Sequence, residues 1–200
     1  MKIIFISGPS GSGKTTLSNQ IIVKIQNGII LRTDNYYKTG LISKLLSKVV
    51  DCYFDKTLSF NYKLFKKDFY YVLNSGTSIN ERSYDFEKKT IKNLLNKTNN
   101  INFIIIEGIF AKELSSVLCN QKYYFFELKI NKNECMKRVI QRDIKERGKE
   151  INQAKEDFSK SWDVYYQKFK NKNIENSANK FTITENTDID KIIKNYLNEF

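Results

Sequence analysis

Histidine is absent from the 200 residues, proline occurs once, and cysteine occurs three times. The first absence removes imidazole both as a general base and as a metal ligand, which leaves carboxylates to move protons and rules out a His-containing zinc site. The cysteines, Cys52, Cys119 and Cys135, are scattered and odd in number, with no CxxC pair, so a disulfide framework is not indicated. Long apolar runs are missing too. The run FIII at 103–106 is a few residues long, against the roughly 20 needed to span a bilayer. No signal-peptide layout opens the chain, because its short apolar run passes directly into glycines. These absences lead us to expect a cytoplasmic protein with no membrane partner.

What is present is the make-up of an ordinary globular domain. Hydrophobic residues account for 40% and charged residues for 28%, and this length suits one α/β domain. The net charge of +12 fits either a polyanionic partner or a lysine-rich solvated surface. The lysines are spread along the chain and no nucleic-acid motif accompanies them, so the surface reading is preferred and no nucleic-acid partner is expected.

Short, continuously apolar segments at 2–7, 28–33, 101–107, 123–130 and 180–184 predict strands buried on both faces, as in a parallel sheet. Helical patterns at 14–26, 63–74, 132–147, 151–170 and 188–199 alternate with them. Ile151, Ala154, Phe158, Trp162, Tyr165 and Phe169 fall at helical intervals and are read as core. The expected architecture is a three-layer α/β domain over 1–200, with no linker or repeat.

Between the first strand and the first helix lies GPSGSGKTT. Gly8, Pro9, Ser10, Gly11, Ser12, Gly13, Lys14 and Thr15 satisfy G-x-x-x-x-G-K-S/T with a strand before and a helix after, and Thr16 follows. Glycines permit a tight loop whose amides face a polyphosphate. Lys14 brings positive charge to the β/γ-phosphates, the Thr15 hydroxyl suits Mg²⁺, and the helix adds its positive end. ATP and Mg²⁺ are the implied cofactors. The segment NKNE at 131–134 has Glu where a guanine-reading motif needs Asp, and no DxxG switch is visible, so it is read as a helix cap.

Asp34 and Glu107 stand at the ends of predicted strands, the edge at which parallel sheets present ligands. Together beside the loop they suit metal coordination and proton abstraction. Opposite charge comes from CMKRVIQRDIKERGK at 135–149: Arg138 and Arg142 share a helical face, and Arg147 precedes Gly148. Arginine forks suit a migrating phosphoryl group, and a glycine beside them lets the segment move as a lid.

These pieces in this order resemble the uridine–cytidine kinase family, over most of the chain. DNYYK (34–38), FDKTLSFN (54–61), YDF (84–86), IIIEGIF (104–110) and RDIKERGK (142–149) are each similar to a segment of that family. The resemblance implies a five-stranded P-loop kinase fold, an acceptor-covering insertion at about 52–90 and a lid at about 138–150. It makes Asp34 the catalytic base and a metal-associated group, and Glu107 the second metal-associated carboxylate. It puts Arg142 and Arg147 on the phosphates, and Tyr37, Phe60, Tyr84 and Phe86 around a nucleoside-like acceptor, with Arg138 nearby. Self-association is also implied.

Departures gather at the acceptor. Asn61 stands where the resemblance looks for an Asp on the ribose hydroxyls, and Lys89 where it looks for a base-contacting His. Lys149 and Val139 replace arginines, and Asp157 replaces a Gln. The expected reaction is transfer of the ATP γ-phosphate to the 5′-hydroxyl of uridine or cytidine. A kinase of the same build acting on another nucleoside, nicotinamide riboside or pantothenate remains an alternative. Further rivals are a hydrolytic switch NTPase and a nucleic-acid-binding protein.

Overall fold

A computed structural model of the chain describes residues 1–25, 27–79, 81–86, 88–94, 98–118, 122–169 and 178–196. Residue 26 of the first expected helix, residue 170 of the fourth and residues 197–199 of the last lie outside the described residues, as does Cys119.

Five strands form one parallel sheet: β1 (Lys2–Ser7), β2 (Gly28–Arg32), β5 (Phe103–Glu107), β6 (Tyr123–Leu128) and β7 (Ala178–Ile183). Their order is β2-β5-β1-β6-β7. Alternation along the strands splits the core into two layers, because successive side chains leave a strand on opposite faces. Ile3 and Phe5 of β1, Ile104 and Ile106 of β5, and Tyr123 and Phe125 of β6 join one buried cluster. Ile4, Ile6, Phe103, Ile105, Phe126 and Leu128 join the other. Both faces are covered, which is why these strands carry unbroken apolar runs.

On the first face lie α3 (Tyr62–Ser75), with Phe65, Phe69 and Val72, and α4 (Ala111–Leu118), with Leu114 and Leu118. The second face is covered by α1 (Lys14–Ile25), α5 (Lys132–Arg147), α6 (Ile151–Phe169) and α7 (Ile189–Tyr196), through Leu17, Ile21, Cys135, Val139, Phe158 and Ile193. Ala154, Phe158 and Tyr165 of the α6 stripe are buried and Trp162 packs against the same cluster, as core residues should, whereas Ile151, at the first position of the helix, is exposed. The three-layer α/β architecture expected from the sequence is the one observed.

Several elements were not anticipated. Helix α2 (Leu41–Val49) buries Ser43 and exposes Leu41, Ile42, Leu45 and Val49. An antiparallel hairpin pairs β3 (Glu81–Asp85) with β4 (Thr90–Leu94). Helix α4 was also unmarked. The segment at 131–134 caps a helix as expected: Asn131 Oδ1 accepts from Asn133 N at 2.9 Å, whereas Glu134 turns to Arg138 Nε at 3.1 Å. Among the described residues no helix is long and apolar enough to cross a membrane.

Candidate active site

Parallel register brings the ends of β2, β1 and β5 to one edge: Ile6 is opposite Glu107, and Glu107 is opposite Arg32. The glycine loop leaves β1 at this edge. Gly11 has φ +78, and a Cβ there would overlap the carbonyl oxygen of Cys135 and come within 2.9 Å of Val139 Cγ2. Only glycine lets the loop pass so close to α5. Gly13 has φ +92, and α1 starts immediately after it at Lys14.

Lys14 Nζ donates to the Pro9 carbonyl at 2.9 Å. Burial pulls its pKa below the usual lysine value, and the carboxylates of Glu107 and Asp34 oppose that shift. The buried Ser12 hydroxyl has no hydrogen-bond partner among the described residues. A cation deprived of water and an orphaned hydroxyl on one glycine loop are what a polyphosphate would satisfy.

Beside the loop, Thr15 Oγ1 donates to Glu107 Oε1 at 3.1 Å, and Arg32 Nε lies 3.5 Å from the same oxygen. Burial raises the pKa of Glu107, while Lys14 works against that rise. Gly108 has φ +140, and a Cβ there would overlap Thr33 Oγ1. This glycine therefore lets the Thr33–Tyr36 turn pack against the end of β5. Asp34 sits within that 3₁₀ turn, just beyond β2. Its Oδ1 accepts from the Tyr37 hydroxyl at 3.5 Å. Burial, reinforced by the Asp34 charge, lifts the Tyr37 phenol well above its ordinary pKa and keeps it a donor.

Tyr37 opens an aromatic wall. Segments 36–38 and 59–61 are zipped together, with Lys38 N donating to Ser59 O and Asn61 N to Tyr36 O, each at 2.7 Å. Tyr37 packs edge-on against Phe54, Tyr84 and Phe86 at centroid distances of 5.0, 5.3 and 5.7 Å. Phe60 meets Phe110 at 4.9 Å. The Tyr84 hydroxyl is buried without a partner among the described residues, and burial pushes its pKa up to about 12.

Asn61 is the N-cap of α3. Its Oδ1 accepts from Leu64 N at 3.2 Å, so its acceptor atom is already committed to the helix. The carboxylate of this stretch that interacts electrostatically with Asp34 and Lys14 is Asp55, whose pKa is raised by burial and whose side chain is hydrogen-bonded to Ser161 of α6. Lys89, at φ +52, donates from Nζ to Ser47 Oγ of α2.

Toward the end of α5, in the segment the sequence led us to expect as a lid, Asp143 gathers the cations. Arg142 Nη2 lies 2.9 Å from Asp143 Oδ1, Arg147 Nη1 3.4 Å from the same atom, and Lys149 Nζ 3.1 Å from Oδ2. The Arg147 guanidinium lies over the Phe86 ring, 4.8 Å from its centroid, and so joins the end of α5 to the aromatic wall. Arg138 reaches toward the loop, its Nη1 3.9 Å from where a Gly13 Cβ would sit. Lys149 also pairs with Asp157 at 2.7 Å, so two of the departures noted in the sequence bind each other.

Sequence reading missed Asp55, Phe54, Phe110 and Arg32 as parts of this constellation, whereas the pairing of Asp143 with the arginines of its own helix was an alternative the sequence offered. Asp55 and Phe54 lay in plain view within FDKTLSFN. Only their directions were illegible.

Comparison with known proteins agrees with this geometry. Residues 3–189 match the phosphoribulokinase/uridine kinase family model. A uridine kinase of Borrelia duttonii is 32% identical over 171 residues, covering 84% of this chain and 80% of the relative. Uridine kinase-like protein 5 of Arabidopsis thaliana is 31% identical over 173 residues, covering 82% of this chain and 36% of the relative. Among solved structures, a Silicibacter protein assigned as a fructose transport system kinase aligns with TM-score 0.66 at 14% identity, over 90% of this chain and 89% of its own. A possible uridine kinase from Bacillus stearothermophilus aligns with TM-score 0.52 at 17% identity, over 83% and 81%. On the family match and the Borrelia relative, this chain belongs to the phosphoribulokinase/uridine kinase family and is an ATP-dependent kinase.

Proposed function

We propose that the protein transfers the γ-phosphoryl group of ATP to the 5′-hydroxyl of a pyrimidine nucleoside, uridine or cytidine. The observation that carries this is the position of Tyr37. Its hydroxyl donates to Asp34 beside the phosphate loop, while its ring belongs to the aromatic wall with Tyr84 and Phe86. A flat base against that wall would leave its sugar near Asp34. The named relatives that act on uridine support the choice of acceptor.

The triphosphate lies along Gly8–Thr16, with Lys14 on its β/γ oxygens and Ser12 Oγ finding there the partner it lacks. The Thr15 hydroxyl and the Glu107 and Asp34 carboxylates are hard oxygen donors at one sheet edge, the donor set Mg²⁺ prefers alongside phosphate oxygens. When bound, Mg²⁺ would neutralise charge on the phosphates. Asp34 accepts the proton of the incoming hydroxyl and aims its oxygen at the γ-phosphorus. Arg142 and Arg147, held ready by Asp143, supply positive charge as the phosphoryl group moves. Most of the rate comes from positioning and electrostatics, as is general for phosphoryl transfer. Asp55, rather than Asn61, holds the sugar hydroxyls, because its carboxylate interacts electrostatically with Asp34 and Lys14 and the Asn61 oxygen is committed to α3. The Tyr84 hydroxyl donates to the base.

A second reading, transfer to a different alcohol, is favoured by Lys89 and by the Lys149–Asp157 pair, which give this acceptor side its own polar pattern. A coupled ADP-release screen of nucleosides, nicotinamide riboside and pantothenate, with a no-acceptor control, decides between them. Uridine- or cytidine-dependent release supports the proposal. Release with another alcohol alone supports the second reading, and equal release without acceptor would make the protein a hydrolase.

A further inference from the structure

A second cavity, of about 370 Å³, opens along β2 and does not involve the glycine loop, Asp34 or the aromatic wall. Its size is within the range of small-molecule pockets. Among the described residues strand β2 ends the sheet and pairs only with β5, which leaves its other backbone edge without a strand partner. Ile22, Ile79 and Ile101 line the cavity with apolar surface, and Arg32, Glu81 and Arg82 add charge.

The two arginines differ. Arg82 is engaged on all three nitrogens: Nε and Nη2 bind Asp68 at 2.7 and 3.4 Å, and Nη1 binds Asn93 at 3.0 Å. Among the described residues Arg32 makes one hydrogen bond, from Nη2 to Asn19 Oδ1 at 3.0 Å. Its nearest carboxylates stand off, Glu81 at 3.6 Å and Glu107 at 3.5 Å. Charge-assisted arginine–carboxylate bonds close to about 2.7–2.9 Å when geometry allows. Among the described residues Arg32 thus stands between a half-exposed glutamate and the buried Glu107 with neither carboxylate closed onto its guanidinium.

We propose that this cavity is an effector site for a small organic carboxylate with a compact apolar body. The ligand's carboxylate takes the Arg32 fork in place of Glu81, and its apolar part lies against Ile22, Ile79 and Ile101. Occupancy is felt at the phosphate site through Arg32. Drawing the guanidinium outward removes a positive charge from beside Glu107, which leaves that carboxylate freer for the metal–nucleotide complex. This coupling rests on the metal-associated role proposed for Glu107, whereas the binding itself does not. Coupling between two binding sites is reciprocal, so each ligand tightens the other.

The test is calorimetric titration of the full chain with 4-phenylbutyrate and with its neutral amide, in the absence of nucleotide. One equivalent of the acid binds, and the amide binds at least about tenfold more weakly, since it cannot fill the fork. Arg32→Lys weakens the acid by a similar factor, because a lysine cannot bind bidentately. Glu81→Gln, an exposed change, tightens it several-fold by removing the competitor. Equal binding of acid and amide, an unaffected Glu81→Gln variant, or no binding of the acid overturns the site. MgATP is then titrated with and without saturating 4-phenylbutyrate. Several-fold tighter MgATP binding is expected, and unchanged affinity overturns the coupling. Failure of the untreated protein to bind MgATP, with acid binding intact, would instead refute the kinase reading while the cavity assignment survives.

Discussion

Thr15 and Glu107 are 92 positions apart, and the hydroxyl of one donates to the carboxylate of the other at 3.1 Å. The bond joins the first turn of α1 to the end of β5, and it ties the phosphate loop to the acidic edge of the sheet before any nucleotide arrives. Lys14, one residue earlier, is buried among the same carboxylates.

Lys14→Ala should lower phosphoryl transfer by at least about a hundredfold, since removing a single preorganised charge-stabilising group typically costs 10²–10³ in rate. The fold should survive, because the change removes an ammonium that burial disfavours. Steady-state kinetics beside a thermal melt check both halves.

Asp55 and Asn61 lie six positions apart and have separable roles. Asp55→Asn should raise the nucleoside KM roughly tenfold, the worth of a charge-assisted hydrogen bond, and leave MgATP affinity alone. Asn61→Ala should do the reverse, costing about 0.5–2 kcal/mol of stability by removing the α3 cap with little change in KM. Denaturant melts and acceptor titrations of the two variants distinguish these outcomes.

The Tyr84 hydroxyl is buried and without a partner among the described residues. Tyr84→Phe should therefore leave the melting temperature of the free protein unchanged or raise it, since an unsatisfied buried polar group costs about 1–3 kcal/mol. The same variant should raise the nucleoside KM. A fall in stability with KM unchanged would remove Tyr84 from the acceptor site.

Asp143 is a pH-dependent contributor. Burial pushes its pKa up, but Arg147, Arg142 and Lys149 together outweigh burial and hold it below the ordinary value of 3.8. The native state thus binds this proton more weakly than the unfolded chain does. Its stabilisation is present above the ordinary aspartate range and is lost as pH falls through the depressed native value. Asp143→Asn should cost about 2–3 kcal/mol at neutral pH, discounted because its partners are about one-third exposed. The variant should also show a shallower loss of stability below pH 3.8, measurable by melts across an acid series.

Much of this fold was legible because its causes are local. A strand covered on both sides must be continuously apolar, and IIFI and FIII are. The phosphate loop is a contiguous motif whose glycines, lysine and threonines each answer one requirement. Helix α2 was missed because its apolar residues face solvent and its buried face carries Ser43, the reverse of the usual pattern. The β3–β4 hairpin was missed because ERSYD and TIKNL carry few apolar positions.

The candidate site was legible in residue types and illegible in directions. FDKTLSFN contains both an Asp and an Asn, and only the two short 3₁₀ turns and the start of α3 decide which of them interacts with Asp34 and Lys14. The Arg32–Glu107 contact arises from parallel register between β2 and β5, which no local pattern announces. Asp143 reads as one member of a charged helix until the fold buries it.

The central claim is that Asp34 activates an acceptor hydroxyl opposite a triphosphate held by the glycine loop. Its most direct test is ADP release by the Asp34→Asn variant with uridine and cytidine, alongside calorimetric MgATP binding. We predict near-normal nucleotide affinity with turnover reduced about 10²–10⁴-fold, the usual range for loss of a positioned general base. Turnover within a few-fold of the unmodified protein would contradict the account.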